Sequence, residues 1–524
     1  MRTQRKGFEP MNRYRRFLSF PIALALALVV SLPAAAADGD SATLERYARD
    51  TWRSFVLMVE PRTGLPADNI GGNLRPGSCA AYTSPTNVGM YFWATLSARD
   101  LGFIGADEAV ERISKTLTTL EGMERHEPSG QFWNWYSPRT GAKLTTWPEP
   151  PNNPVVPFAS SVDNGWLASG LLMVANAVPE LHDRARELAE SMNFSCYYDP
   201  NAKGPDGGGL IRGGFWLTPQ GGSVPGDYCE MGEQVQYTGH HYGAFNTEPR
   251  IASYIGIALG QIPPVHYFGG WRTFPDTCDW SWPETKPIGV WRTYLGIDVF
   301  EGAYPYDDQL IVPTWGGSMF EALMVPLVVP EEEWGPASWA VTHPLYVESQ
   351  VEFGLDEADY GYWGFSPSSN PAGGYREYGV DAIGMEPNGY TADVERRTLV
   401  DGGWDDPECF RPPSAISDYG QGVVTPHAAF LALDFAREEA LDNLANLADD
   451  FDGLYGRGGF KDAVNVATGQ VADRYLALDQ GMVIAAIANE LTGDKLQGYL
   501  ATTLEASLRP LMEMEQFGAG RVAP

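Results

Sequence analysis

Residues of the kinds that build metal centres are scarce in this sequence. Its 524 residues include seven histidines and five cysteines, with no Cys-x-x-Cys pair and no histidine spacing of the type that binds zinc. Glycine-rich phosphate loops and the Gly-x-Ser-x-Gly elbow of serine hydrolases are also absent. We therefore expect no metal and no cofactor, and the sequence gives no support to hydride or phosphoryl transfer.

Positive charge is the second shortage. Lys and Arg total 36 against 67 Asp and Glu, which gives a formal net charge of −31. Residues 1–37 hold six basic residues and one acidic residue, so the chain without them carries −31 − 5 = −36. Such a field repels nucleic acid and anionic membranes. A neutral polysaccharide or oligosaccharide is therefore the favoured substrate, and the alternative is that the acidity serves solubility alone.

Long apolar runs are absent except near the N-terminus. There, residues 17–32 follow Arg13, Arg15 and Arg16 and precede three alanines at 35–37, as in a secretory signal peptide. The sequence predicts cleavage after residue 37, export to the periplasm or beyond the cell, and one mature domain at 38–524. No second run is long enough to span a bilayer, so we expect no membrane span in the mature chain. In an exported protein the five cysteines predict one or two disulfides, whose pairing stays open.

Apolar residues recur with helical periodicity along most of the chain. The connections between these segments alternate between short polar stretches and long ones rich in Gly, Pro, Trp and Tyr, without sustained strand-like alternation. Helix pairs joined in this way predict an all-α (α/α) barrel whose long loops form a functional mouth. The predicted helices cover residues 42–58, 86–101, 106–121, 162–178, 180–192, 248–259, 316–328, 336–353, 424–435, 437–448, 473–491 and 496–514.

Tryptophans are concentrated in the long loops. The apolar C–H face of a pyranose ring stacks on indole, so aromatic loops on an acidic chain favour sugar binding. A loop tryptophan can equally serve to pack the loop against the core. The candidates for sugar-stacking surfaces are Trp133, Trp135, Trp315 and Trp363.

Four carboxylates stand in apolar or aromatic surroundings: Asp163 and Glu248 at predicted helix starts, Glu321 in a predicted helix, and Asp479 within an otherwise apolar predicted helix. Glycosidic bond cleavage needs one carboxylic acid to protonate the leaving oxygen and a second carboxylate to activate water or act as nucleophile. Each residue also has a structural interpretation, because an acid can stabilise a helix N-terminus or pair with an arginine. Asp479 fits that interpretation least well, since a charge among leucines, methionine and isoleucine is costly unless paired or functional.

Nine short motifs, in order along the chain, resemble segments of the glycoamylase-like domain, which is similar to the endo-β-1,2-glucanases of glycoside hydrolase family 144. The match spans about residues 80–492, and it is specific through the order of the motifs rather than through any single one. The motifs are TSPTNVG at 83–89, NWY at 134–136, SSVDNGW at 160–166, EPRIAS at 248–253, GSMFE at 317–321, WGFS at 363–366, YGVDAIG at 378–384, VTPH at 424–427 and LDQGM at 478–482.

The resemblance implies an (α/α)6 toroid that cleaves β-1,2-glucan with inversion at the anomeric carbon. It implies Glu248 as general acid and Asp479 as base, with Asp163 binding substrate or ordering the attacking water. Asn164, Arg250 and Glu321 then join the tryptophans as predicted substrate-binding residues.

Departures from the family pattern leave specificity open. Residues 366–368 read Ser-Pro-Ser where relatives often carry an acid, and position 427 is His where Tyr is frequent. Linkage and endo or exo action therefore stay undecided, and so does hydrolysis against glycosyl transfer. A catalytically silent glycan-binding envelope protein is the alternative from another class. We expect a monomer or a homodimer.

Overall fold

The computed structural model describes residues 34–228, 231–274, 286–385 and 422–522. Thirteen α-helices lie in these ranges, and all but the short α8 correspond to a helix predicted from the sequence. The helices are α1 (Ala34–Met58), α2 (Pro85–Asp100), α3 (Ala106–Gly122), α4 (Ser161–Ala177), α5 (His182–Glu190), α6 (Arg250–Ala258), α7 (Met319–Leu323), α8 (Glu331–Trp334), α9 (Trp339–Glu352), α10 (Pro426–Leu431), α11 (Arg437–Asp450), α12 (Ala477–Thr492) and α13 (Lys495–Met512).

Serine residues cap three of these helices. The hydroxyls of Ser84, Ser160 and Ser318 each accept a hydrogen bond from the backbone N–H three residues further on, at the starts of α2, α4 and α7. Such a cap satisfies a backbone donor that a helix leaves without a partner in its first turn. In α4 and α7 that N–H belongs to an acid, Asp163 and Glu321 respectively. The caps therefore fix the position of two predicted site residues.

An inner layer of helices carries the core. α2 packs against α4 and α12, α4 against α6, and α10 against α7 and α12. Every residue of α2 from Pro85 to Ala98 is buried, which is the pattern of a helix enclosed on all sides. Outside this layer, α1 packs on α12, α5 on α4 and α11 on α10. The amphipathic outer helices thus surround inner helices that are mainly apolar.

Glycines allow the inner helices to approach closely. A Cβ added to Gly89 on α2 would lie 2.6 Å from the backbone oxygen of Trp166 on α4. One added to Gly165 on α4 would lie 2.9 Å from the Cβ of Ala252 on α6. Both distances are shorter than side chains tolerate, so a larger residue would force the helices apart.

The prediction of an all-α chain is wrong for the long loops, which contain short antiparallel strands. Most are too short for an alternating pattern to be visible in the sequence. The longest form a hairpin, β11–β12, inside a region predicted as loop. The strands are β1 (Asn69–Gly71), β2 (Arg125–His126), β3 (Gln131–Phe132), β4 (Phe158–Ser160), β5 (Tyr198–Asp199), β6 (Leu210–Arg212), β7 (Gly214–Trp216), β8 (Val224–Asp227), β9 (Gln234–Tyr237), β10 (His241–Tyr242), β11 (Ile288–Tyr294), β12 (Ile297–Tyr306), β13 (Gln309–Ile311), β14 (Ser368–Ser369), β15 (Tyr375–Arg376), β16 (Val423–Val424), β17 (Tyr455–Gly456), β18 (Gly459–Phe460), β19 (Val464–Asn465), β20 (Gln470–Val471), β21 (Arg474–Leu476) and β22 (Gly520–Arg521).

The strands form small sheets of two to four members. The two four-stranded sheets have the orders β11-β12-β13-β22 and β4-β7-β9-β8. The second begins at β4, which leads directly into α4, and so it supports the helix start that carries Asp163. β21 leads into α12 in the same way and pairs with β1.

Two predictions concern export and cysteines. The predicted signal peptide at 1–37 lies outside the described residues except for its last four, which begin α1. Cys196 is disulfide-bonded, as predicted for at least one pair, and Cys79 is a free, half-buried thiol. Within the described ranges, none of the helices has the length and apolar character needed to cross a membrane.

Candidate active site

Helix starts carry the four acids that the sequence singled out. Asp163 lies in the first turn of α4, Glu321 in that of α7 and Asp479 in that of α12, while Glu248 stands two residues before the start of α6. Three of them lie close together, because, besides burial, Asp163 and Glu321 raise the pKa of Glu248. Helix N-termini favour negative charge, which explains why acids are tolerated at this end of an apolar core.

Glu248 is set up to hold a proton. Burial, with the neighbouring carboxylates Asp163 and Glu321, raises the pKa of Glu248 to about 8. The indole N–H of Trp166 donates to its Oε2 over 2.8 Å and opposes part of that rise. Glu248 is therefore protonated at neutral pH and can act as a general acid.

Asp163 is held by hydroxyl groups. The Thr86 hydroxyl donates to its Oδ1 over 2.6 Å, and the Ser160 hydroxyl accepts from its backbone N–H. Burial and the nearby Asp68 raise the pKa of Asp163, while the hydroxyl bonds lower it. These contacts fix the carboxyl beside Glu248.

Asp479 has a different environment. It is 2% exposed, and neither of its oxygens has a hydrogen-bond partner among the described residues. Its Oδ2 lies 3.4 Å from Nδ1 of His427. Burial raises the pKa of Asp479 to about 6, so this carboxyl is ionised at neutral pH and can accept a proton.

Two further acids belong to the site and were missed from the sequence. Asp68 accepts from the side-chain amides of Asn87 and Asn69 over 2.9 and 3.0 Å, and it raises the pKa values of both Asp163 and Asp479. Asp462 is 3% exposed, and its Oδ2 accepts the backbone N–H of Ser369 over 2.6 Å. Burial raises the pKa values of both acids. Neither acid has a clear local signal in the sequence, because Asp68 precedes Asn69 and Asp462 follows Lys461.

Three predicted substrate-binding residues make contacts inside the protein. Glu321 is 5% exposed and accepts from the hydroxyl of Thr247 and the backbone N–H of Gly316. Arg250 forms a two-pronged ion pair with Glu331, both bonds at 2.8 Å, and also donates to backbone oxygens of α7. Asn164 is fully buried and bonds both the N–H and the carbonyl of Phe132. The contacts of Arg250 and Asn164 position helices and loops around the acids.

The four candidate tryptophans divide into two pairs. Trp133 and Trp363 are 2% and 1% exposed, so neither has a ring face open to a sugar. Trp135 and Trp315 are half-buried. Trp135 forms a cluster with Trp147 and Tyr82, with ring centroids 4.4–5.5 Å apart. The Tyr82 hydroxyl accepts from Asn69, which also holds Asp68, so this aromatic cluster borders the acids.

Two tyrosines that the sequence interpretation left out also border the acids. Tyr242 has its pKa raised by burial, Glu248 and Asp163. Tyr375 lies on the hairpin β14–β15, opposite Ser369, the residue that holds Asp462. The charges of Asp479, Asp462 and Glu248 all act on the Tyr375 hydroxyl, so this tyrosine lies near all three acids.

His427, Asp462 and Asp479 are the described group with donor atoms close enough to share a metal, all within 4.8 Å of one another. The hydrogen bonds leave Nδ1 of His427 unavailable to a cation. The Thr425 hydroxyl donates to the backbone oxygen of Asp462, so it must accept from Nδ1 of His427, which therefore carries a proton. The nitrogen nearest Asp479 is thus a donor rather than a metal ligand.

Comparison with known proteins agrees with the motif order in the sequence. The Glycoamylase family model matches residues 285–497, and a second model, described as a protein of unknown function, matches residues 46–198. The resemblance to the glycoamylase-like domain is confirmed. The cyclic β-(1,2)-glucan synthase NdvB of Rhizobium meliloti is 24% identical over 603 aligned residues, which take in 87% of this chain. This chain spans 18% of that synthase's length.

Solved structures share the fold. The endo-β-1,2-glucanase of Chitinophaga pinensis, in complex with sophorotriose and glucose, is 18% identical with a TM-score of 0.60, and the alignment covers 91% of this chain and 98% of that one. The endo-β-1,2-glucanase of Talaromyces funiculosus, in complex with sophorose, is 11% identical with a TM-score of 0.62, over 91% and 88% of the chains. At these identities the likeness establishes the architecture, which is that of the glucanase and glucoamylase-like enzymes.

Proposed function

We propose that this chain is an exported glycoside hydrolase that cleaves a neutral β-glucan, with β-1,2-glucan as substrate and inversion at the anomeric carbon. The observation that carries the proposal is that Glu248 and Asp479 both stand at the starts of inner helices, where burial raises the pKa of Glu248 to about 8 and that of Asp479 to about 6. Opposite protonation states of two acids are what acid–base cleavage of a glycosidic bond needs. The names of the aligned relatives supply the linkage, since glucanases and synthase alike are named for β-1,2-glucan.

The proposed reaction proceeds as follows. Glu248 gives its proton to the glycosidic oxygen as the bond from that oxygen to the anomeric carbon breaks, and the leaving sugar departs as an alcohol. A water molecule attacks the same carbon from the opposite face and passes one proton towards Asp479. Inverting enzymes keep their two carboxyl groups roughly 6.5–9.5 Å apart to leave room for that water. Asp163, held by Thr86 next to Glu248, would bind the substrate or order the water.

The helix contacts support the finer fold assignment as part of this proposal. The inner helices α6, α4, α2, α12, α10 and α7 follow one another by direct packing, and Arg250 at the start of α6 bonds backbone oxygens of α7. This order supports an (α/α)6 toroid formed by one domain at 38–524. Its mouth, on the side of the helix starts, would hold the glucan between the Trp135 cluster and Trp315.

Glycosyl transfer is the second candidate, because the relative with 24% identity is named as a cyclic glucan synthase. Transfer would use the same general acid but would replace the attacking water with a sugar hydroxyl. It predicts products longer than the substrate. A silent glycan-binding protein has less support, since acids are present at all three predicted catalytic positions.

The test is product analysis of residues 38–524 incubated with linear β-1,2-glucan, in parallel with β-1,3-, β-1,4- and α-glucans. We expect short β-1,2-oligosaccharides whose new reducing ends have the inverted anomeric form by NMR. Glu248→Gln should remove activity. Glu301→Gln is the matched control, because Glu301 is also buried and its pKa is also raised to about 8, yet it lies apart from the site acids.

Each other outcome decides between the alternatives. Longer oligosaccharides in place of shorter ones would indicate transfer, and release of the retained anomer would contradict inversion. Binding without any product in the parent protein would support the silent glycan-binding protein. Activity on a different glucan, abolished by Glu248→Gln, would keep the mechanism and reject the linkage.

A further inference from the structure

We propose that Asp462 is a positioning residue that keeps a proton and donates it in a hydrogen bond to Asp479, so that the two carboxyls share one negative charge. This inference rests on the proposed function in one respect, the role of Asp479 as the proton acceptor. The pair itself follows from the arrangement of the buried atoms.

The pattern of hydrogen-bond partners around Asp462 calls for a proton on one particular oxygen. Oδ2 accepts the backbone N–H of Ser369 over 2.6 Å. Oδ1 is buried and has no partner among the described residues, and the same holds for both oxygens of Asp479. Two ionised carboxylates can only accept, so three buried oxygens would be left without a donor. A proton on Oδ1 of Asp462 converts one of them into a donor that faces Asp479.

Charge leads to the same arrangement. Asp462 and Asp479 are 3% and 2% exposed, and each has a carboxylate oxygen within 4.8 Å of the other. Two negative charges this close together and away from water cannot both be stable. The neighbouring side chains supply little positive charge to offset the two carboxylates. His427 is neutral at neutral pH because burial lowers its pKa to about 4. Asp68 adds a further negative charge when ionised, and Tyr375 adds no charge.

We assign the proton to Asp462 rather than to Asp479, because Oδ2 of Asp462 already accepts from Ser369 and its Oδ1 is the oxygen left for the second carboxyl. Beyond burial, the interaction between the two carboxyls raises the pKa of Asp462 and lowers that of Asp479. His427 agrees with this assignment, because its Nδ1, which donates to the Thr425 hydroxyl, lies 3.4 Å from Oδ2 of Asp479. The partial positive charge of this N–H group favours the ionised form of the nearby carboxylate.

In the reaction, this arrangement would leave Asp479 one oxygen for the attacking water. Asp462 would hold the other oxygen and retain its own proton throughout, while the water proton goes to Asp479. The hairpin β14–β15, which supplies the Ser369 N–H, would thereby set the orientation of the base without touching the reacting atoms.

Two substitutions separate this role from others. Asp462→Asn reproduces the proposed state, because the amide oxygen can accept from Ser369 while the NH2 group donates to Asp479. We expect Asp462→Asn to keep kcat/KM within about 5-fold of the parent, with the acidic limb of the pH profile unmoved. Asp462→Ala removes the donor, and losing a hydrogen bond to a charged group should lower kcat/KM about 10- to 100-fold and move the acidic limb to higher pH.

An infrared measurement tests the pair without relying on activity. In protein labelled with ¹³C-aspartate, the carboxylic acid band at neutral pH should lose intensity in Asp462→Asn. Glu301→Gln, which carries no label, should leave that band unchanged. If the parent protein cleaves no glucan, the proposed function fails, while the infrared result still decides whether Asp462 holds the proton.

Several results would overturn the proposal. Activity as low in Asp462→Asn as in Asp479→Asn would mean that Asp462 must ionise and is itself a base. An unchanged pH profile in a folded Asp462→Ala, or an unchanged infrared band in Asp462→Asn, would leave Asp462 a merely structural role. Activity that requires a divalent cation and is lost with chelator would assign the three side chains to a metal instead.

Discussion

The indole N–H of Trp166 donates to Oε2 of Glu248 over 2.8 Å, so a carboxyl that burial keeps protonated also receives a bond that favours its ionised form. The two effects oppose each other, and burial prevails. A general acid must hold its proton in the resting enzyme and release it in the transition state, and a pKa close to the working pH serves both needs.

The first prediction is a bell-shaped pH dependence of kcat/KM. Glu248 works protonated, so activity should fall as the pH rises through about 8. Asp479 works ionised, so activity should fall as the pH drops through about 6. Initial rates on a soluble β-1,2-oligosaccharide across pH 4–10 test both limbs, with protein stability checked at each end. Full activity at the acidic end would exclude Asp479 as the base.

The second prediction concerns the Trp166 donor. Trp166→Phe removes the bond that lowers the pKa of Glu248, so the alkaline limb should move to higher pH and kcat/KM should fall about 10-fold. Trp93→Phe is the control. Trp93 is buried and contacts Trp166 edge to face, with the ring centroids 5.5 Å apart, but its indole N–H has no partner among the described residues. Equal alkaline limbs in the two variants would contradict a role for this hydrogen bond.

The third prediction concerns stability and pH away from the site. Glu301 is fully buried, and burial together with Glu515 raises its pKa to about 8. An acid whose pKa is raised on folding contributes fully to stability at pH values below the pKa of the unfolded state, near 4.5. That contribution is lost as the pH rises through the pKa of the folded state, about 8. The side chain introduced by Glu301→Gln cannot ionise. At pH 9 the free energy of unfolding of this variant should therefore be about 1–3 kcal/mol higher than that of the parent.

The control for Glu301→Gln is an exposed glutamate. Glu45, on α1, pairs with Arg49 at the surface and is about half exposed. Glu45→Gln should therefore leave the pH dependence of the melting temperature unchanged. A parallel loss of stability at high pH in the parent and in Glu301→Gln would show that another group is responsible.

The fourth prediction concerns Arg250, which the structure places against Glu331 with both partners buried. Arg250→Met leaves the Glu331 carboxylate without its cation and removes the bonds to α7, so it should cost about 3–5 kcal/mol of unfolding free energy. Arg186→Met, which breaks the exposed pair with Glu190, should cost less than about 1 kcal/mol. A folded Arg250→Met with normal stability and raised KM would instead support the sequence-based prediction of substrate binding.

The fifth prediction concerns sugar stacking. Trp135→Ala should raise KM about 3- to 10-fold with a smaller effect on kcat, because Trp135 belongs to the aromatic cluster beside Asp68. Trp291→Ala is the control, since Trp291 is 60% exposed on β11 and outside that cluster. Steady-state kinetics on oligosaccharides of two lengths will check both. Equal effects of the two substitutions would argue against a binding surface at Trp135.

The sequence predicted the helices well because their signals are local. The apolar residues of α2 and the cap at Ser84 are both visible in a short window of sequence, and Asp479 stood out as a charge in an apolar helix. Asp462 gave no such signal. Its importance comes from its contacts with Ser369 and Asp479, which are distant from it in sequence and are brought next to it by two short hairpins. Trp133 and Trp135 are two residues apart and have similar neighbours, yet tertiary packing buries the first and leaves the second half-open.

Gly89 and Gly165 lie where no sugar reaches, yet they set how close α2, α4 and α6 come to one another. Thr86 lies on α2, Asp163 and Trp166 lie on α4, and Glu248 lies just before the start of α6. The spacing between Asp163 and Glu248, the proposed general acid, therefore depends on two glycines in the middle of the core. A methyl group at either glycine would move the helices apart, so substitutions far from the proposed substrate-binding loops should also change substrate preference.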